Sequence, residues 1–109
     1  MTKIELLRLI GDVLTELDVQ IGSLLPSDPK HRQLQQLRFA LDDRQRKLAG
    51  QLFSDNTPAF QTAADQIQRT NDELKQTIAD INRIQQTIDT VTRLIGSVTN
   101  LATAVGAVV

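Results

Sequence analysis

The one histidine of this 109-residue sequence, His31, is the only side chain whose ordinary titration lies near neutral pH, so acid–base or metal chemistry would start there. No acidic residue stands four positions before or after it, and a helical metal pair or a carboxylate-oriented base needs such a neighbour on its own face. His31 therefore reads as a solvated residue in the first turn of a helix. The adjacent acids Asp42 and Asp43, and Asp72 and Glu73, are the candidates for paired-carboxylate work. Neighbours in sequence point about 100° apart on a helix, however, and do not converge on one bond. The Glu-x-x-His element of di-metal helical bundles is absent. There is no glycine-rich phosphate loop, and the serines have no histidine partner beyond His31. With no cysteine, thiol catalysis, disulfides and thiolate metal sites are excluded. The chain is expected to be no enzyme, with no catalytic residue, metal, cofactor or small-molecule substrate.

The remaining chemistry is charge. Lys30, Arg32, Arg38, Arg44, Arg46 and Lys47 form a basic group that nucleic acid or anionic lipid would attract, but Asp28, Asp42 and Asp43 dilute it. Only Phe39 and Phe53 stand near enough in sequence to stack on bases, and nucleic-acid binding is not expected. Net charges of −2, +2 and −1 over residues 1–27, 28–57 and 58–109 leave no strongly basic or acidic segment. Glu5 and Asp12 interrupt the N-terminal apolar run that a signal peptide would keep unbroken. That points to a cytoplasmic protein, with membrane association held open by the character of the other end.

The elements that position these residues are helices. Charged residues make up 23% and hydrophobic ones 40% of the chain, a globular balance; the 3% aromatic content is all Phe, so the core must be aliphatic. Thr2 with Glu5 spells a capping box that opens helix 1, about 3–25. Its apolar residues Ile4, Leu6, Leu7, Ile10, Val13, Leu14, Leu17, Ile21 and Leu24 form a stripe broad enough to touch two neighbours. Pro26 and Pro29 end it, and Asp28 with Pro29 caps and starts helix 2, about 29–53. Helix 2 has a narrower stripe, Leu34, Leu37, Leu41, Leu48 and Leu52, with Asp42–Arg46 and Asp43–Lys47 as i, i+4 pairs outside it. Thr57 and Pro58 repeat the cap-plus-proline start for helix 3.

From Phe60 one position recurs every seventh residue through Ile67, Leu74, Ile81, Ile88, Ile95 and Ala102, with Ile84, Val91, Val98 and Val105 three residues beyond the later ones. No proline follows Pro58, and the first glycine after Gly50 is Gly96, so the pattern predicts one helix over about 58–108. Thr70, Asn71 and Thr77 fall in its seam, where buried polar groups can fix register; the alternative is that this stretch faces water. A helix of about 50 residues would run roughly 75 Å, about twice either of the others. A helical hairpin packed on a long last helix thus leaves half of that helix uncovered. The alternative is a four-helix bundle, if the last helix breaks at Asn82–Thr87 or at Gly96–Ser97 and folds back.

Residues 94–109 carry no charge. The stretch is shorter than the roughly 20 residues of a membrane span, yet too apolar to stand in water. The fold class expected is therefore all-α, and the function a non-enzymatic protein-interaction and oligomerisation module. Its expected contact residues are Ile81, Ile84, Ile88, Val91, Ile95, Val98, Leu101, Ala102 and Val105, and its partner a second copy or another protein's helices. The alternative is a membrane-active protein, pore-forming or membrane-associating, that inserts residues 94–109 as an oligomer, with Ala102 and Gly106 as a small-xxx-small contact.

Overall fold

A computed structural model of the chain describes residues 1–106. Four helices make an all-α bundle: α1 (Lys3–Ser23), α2 (Pro29–Gly50), α3 (Pro58–Thr77) and α4 (Ile84–Gly106), with a single 3-10 turn at Ile81–Arg83 before α4. The starts of α1, α2 and α3 follow the sequence. Thr2 accepts from the Glu5 amide at 3.1 Å, Asp28 from Lys30 at 2.9 Å and Thr57 from Phe60 at 3.2 Å, each relieving one of the unpaired amides of a first turn. The capping box at Thr2 is half made: no bond returns from the Glu5 carboxylate among the described residues. Leu52, expected to extend the stripe of helix 2, lies beyond the end of α2 and is 89% exposed.

Side-chain contacts give the arrangement. Gln45 donates to the Leu7 carbonyl (2.9 Å) and Arg38 pairs with Asp18 (3.0 Å), so α1 and α2 run antiparallel. Arg93 pairs with Glu73 and Thr87 donates to Thr77 (3.3 Å), so α3 and α4 do the same. Arg44 reaches Thr99 (2.9 Å) and Gln51 the Ala102 carbonyl (3.1 Å), placing α2 beside α4 in parallel. Gln61 holds the Met1 carbonyl (2.8 Å) and Gln20 the Ile78 carbonyl, placing α1 beside α3. Two hairpins therefore lie side by side, and residues 51–57 cross the base diagonally from α2 to α3. Lys3 secures that crossing: its ammonium donates to the carbonyls of Ala49 (3.2 Å) and Gln51 (2.6 Å) at the end of α2, where a cation is favoured. Its backbone amide donates to Asp55 at 2.8 Å.

The core is the aliphatic one that the composition requires. Leu6, Ile10 and Leu17 of α1, Leu34, Leu41 and Leu48 of α2, and Phe60, Ile67 and Leu74 of α3 are fully buried, each contributing about 1.5–3 kcal/mol of transfer free energy. The broad stripe of α1 meets two neighbours, whereas α2 fills the centre with one leucine every seventh residue.

The helix expected over 58–108 is two helices, and the four-helix alternative is the one realised. Residues 107 and 108 of that span lie outside the described residues. The break falls at 78–83, overlapping the first of the two expected positions at Asn82 and Arg83; at Gly96–Ser97 the helix runs on without interruption. The signal that marks it is Asp80, whose carboxylate accepts from the Asn82 amide at 3.0 Å and caps the new turn. Folding back shortens the molecule: its longest extent is 44 Å, against roughly 74 Å for an unbroken helix over 58–106.

Candidate functional site

The nine residues expected to form an uncovered seam are mostly inside the bundle. Ile84, Ile88, Val91, Val98, Leu101 and Val105 are buried; Ile95 and Ala102 are partly buried against the same core. Only Ile81 is open, 41% exposed on the turn. α4 is covered by α2 and α3 of its own chain, so the apolar face that lacked a partner in a straight helix has one here. The turn also rotates the face. Thr87, Leu94 and Leu101 take core positions, one residue ahead of the Ile88, Ile95 and Ala102 of the heptad. Leu94, fully buried, is the contact residue that heptad reasoning missed, because a phase read from α3 does not survive the turn.

The turn itself is built from polar substitutions. In a continuous helix the Asn82 amide would donate to the Ile78 carbonyl. Here Asp80 takes the amide, and the buried Gln20 of α1 donates to the carbonyl. Arg83 likewise donates to the Gln76 carbonyl at 3.2 Å. The freed groups of the break are thus satisfied by three side chains, one of them on a different helix. Behind the turn, buried Thr77 donates to the Leu74 carbonyl (3.3 Å) and receives from Thr87 (3.3 Å).

Along the contact of α1 with α3 the bundle is unsealed. The backbones of α1 and α3 approach less closely than those of α1 and α2, α2 and α4, or α3 and α4, leaving a groove of about 280 Å³ between them. Val13 and Leu9 lie along its α1 side with Glu5, Asp12 and Glu16, and Asn71 and Lys75 line its α3 side. None of these five polar side chains makes an ion pair or hydrogen bond among the described residues. Asn71 is only 4% exposed, and its amide opens onto the groove. Of the three polar residues expected in the seam, Asn71 and Thr77 are buried, while Thr70 is partly exposed and bonded to its own helix at Gln66 (3.0 Å).

The residues that began the search for chemistry are dispersed. His31 sits partly exposed in the first turn of α2, its backbone amide on the Asp28 carbonyl at 3.0 Å. Asp42 pairs with Arg46 and Asp43 with Lys47, both at 3.2 Å, and Asp72 receives from Gln68 while Glu73 pairs with Arg93, so neither acidic couple converges. The hydrogen bond from Lys47, with Arg44 assisting, holds the Asp43 carboxyl below the usual carboxylate range. The Phe53 ring is occupied by Lys3, 4.9 Å from its centroid, and by Phe60; Phe39 stands alone, 73% exposed. Among the described residues no cluster of His, Cys, Asp or Glu is arranged to hold a metal ion, and no helix is long and apolar enough to cross a membrane. Compared with protein-family models, curated proteins and solved structures, the chain matches none.

Proposed function

We propose that this protein is a non-enzymatic helical interaction module that assembles with copies of itself through the apolar face of its C-terminal half. The observation that carries this reading is the length of that face: Ile84, Ile88, Val91, Leu94, Val98, Leu101 and Val105, with Thr87 and Thr90 buried among them, make an aliphatic ridge along α4 that α2 and α3 cover within one chain. A ridge of this kind is what helix–helix association uses, and α4 has no other conspicuous chemistry. The surface elsewhere offers less. Its exposed large apolar residues, among them Val19, Leu25, Phe39 and Leu52, are spread over α1, the α1–α2 loop, α2 and the base, whereas a docking patch is contiguous.

The absolute mass of the chain by light scattering, taken over a concentration series, tests the reading. The expected result is a discrete multiple of 12.1 kDa whose fraction rises with concentration. A mass of one chain at every concentration would overturn it.

A further inference from the structure

We infer that α4 exchanges between two copies of this chain: the turn at 78–83 straightens, α3 and α4 join into one helix, and each α4 takes the place in its partner that it holds in the closed molecule. This rests on the reading of the α4 ridge as an assembly surface and names its partner, a second copy, and its route. A face buried within its own chain can serve as an interface only by leaving, and exchange restores the interhelical contacts of α4 that it leaves behind.

The three connections of the bundle differ in whether they can straighten. The first contains Pro26 and Pro29 and the second ends at Pro58, and proline neither donates a helical hydrogen bond nor permits helix in the residue before it. The third, Ile78-Ala79-Asp80-Ile81-Asn82-Arg83, has neither proline nor glycine. Its hydrogen bonds convert directly. When the helix is continuous the Asn82 amide returns to the Ile78 carbonyl, releasing Asp80 and Gln20, and the Asp80 amide, now on the Thr77 carbonyl at 3.0 Å, moves to the Gln76 carbonyl, releasing Arg83. Straightening therefore leaves no backbone group of the turn unpaired. It also changes the setting of Ile81, the exposed member of the heptad: in one helix Ile81 shares a face with Leu74 and Ile88, at the middle of the exchanged pair.

Gln20, Asp80 and Arg83 are then the side chains that favour the closed form, since each bonds a backbone group that only the break sets free. Asp80→Ala removes the cap and supplies the best helix former in its place. For each straightened turn the balance should move toward the dimer by roughly two- to thirtyfold, and further in Gln20→Leu/Asp80→Ala. Ala79→Gly should move it about fivefold the other way.

The test combines native mass with a cross-link in the Asp80→Ala chain. Gln66→Cys and Asn100→Cys place thiols on α3 and α4, where both residues line one shallow depression in a chain with no other cysteine. A short bis-maleimide joins them within one chain when closed and between two chains when exchanged. The expected result is a doubled native mass, with covalent dimers on a denaturing gel that become rarer when Ala79→Gly is added. A doubled mass with cross-links confined to single chains would overturn exchange while leaving self-assembly standing. A folded variant that stays at one chain mass would overturn exchange as well, and the wild-type concentration series separates that outcome from failure of assembly altogether. Should the variant not fold, the same cross-link is made in the concentrated wild-type chain, where covalent dimers support exchange and single-chain products overturn it.

Discussion

Asn71 occupies a core position of α3, spaced seven residues from Ala64 and Ile78, yet its amide meets only the groove between α1 and α3. An apolar side chain of similar size would exchange that groove-facing amide for contact with Leu9 and Val13, which line the same groove. Asn71→Leu is therefore expected to raise the unfolding free energy by about 1 kcal/mol, seen as a higher denaturant midpoint with unchanged slope. A lower midpoint would show that the amide is satisfied in the folded state. The same logic separates Asn71 from Gln20, which is equally buried but bonded to the Ile78 carbonyl. Both look alike in sequence, as polar residues on an apolar stripe. One is a structural bond across the bundle and the other opens onto a groove, and only the fold distinguishes them.

At the scale of elements, the prediction turns on the phase of α4. Leu94 is fully buried and its neighbour Ile95 only partly so. Leu94→Ala should cost about 2–5 kcal/mol, as truncation of a packed leucine does, and Ile95→Ala distinctly less, by thermal or chemical unfolding. Equal losses would mean that the heptad phase of α3 continues into α4. The three helix starts, two of them proline-marked, were legible because capping and proline chemistry are local: Thr2, Asp28 and Thr57 each act on amides two or three residues away. The break at 78–83 was legible only as an alternative, placed from Asn82 onward, because what stabilises it is distant. Asp80 alone is an ordinary acidic residue in a helical pattern, and it becomes a cap only where Gln20, some sixty residues earlier in the chain, accepts the role of donor to Ile78. The proposed contact residues were legible as an apolar set for the same local reason. Their cover was not, since whether a face is paired by its own chain or by another depends on that one turn.

At the scale of the whole molecule, closed and extended forms of this chain share nearly all their contacts. The hairpin of α1 and α2, the α3–α4 and α2–α4 interfaces and the aliphatic core persist whether α4 comes from the same chain or its partner. The difference lies in a six-residue turn and in the entropy of association, so concentration should decide between the forms. The contrast in dimension is large: 44 Å for the longest extent of the closed molecule, and about 74 Å for the continuous helix.

The most direct measurement is the distance between spin labels on Gln66→Cys and Asn100→Cys of the same chain, diluted with unlabelled protein and followed over the concentration range in which the mass changes. At low concentration the labels should lie close together, across the α3–α4 contact that both residues line. As the mass doubles, a second population should grow near the roughly 51 Å of a 34-residue helical separation. A single long distance at every concentration would contradict the closed bundle, and a single short one throughout the rise in mass would contradict exchange.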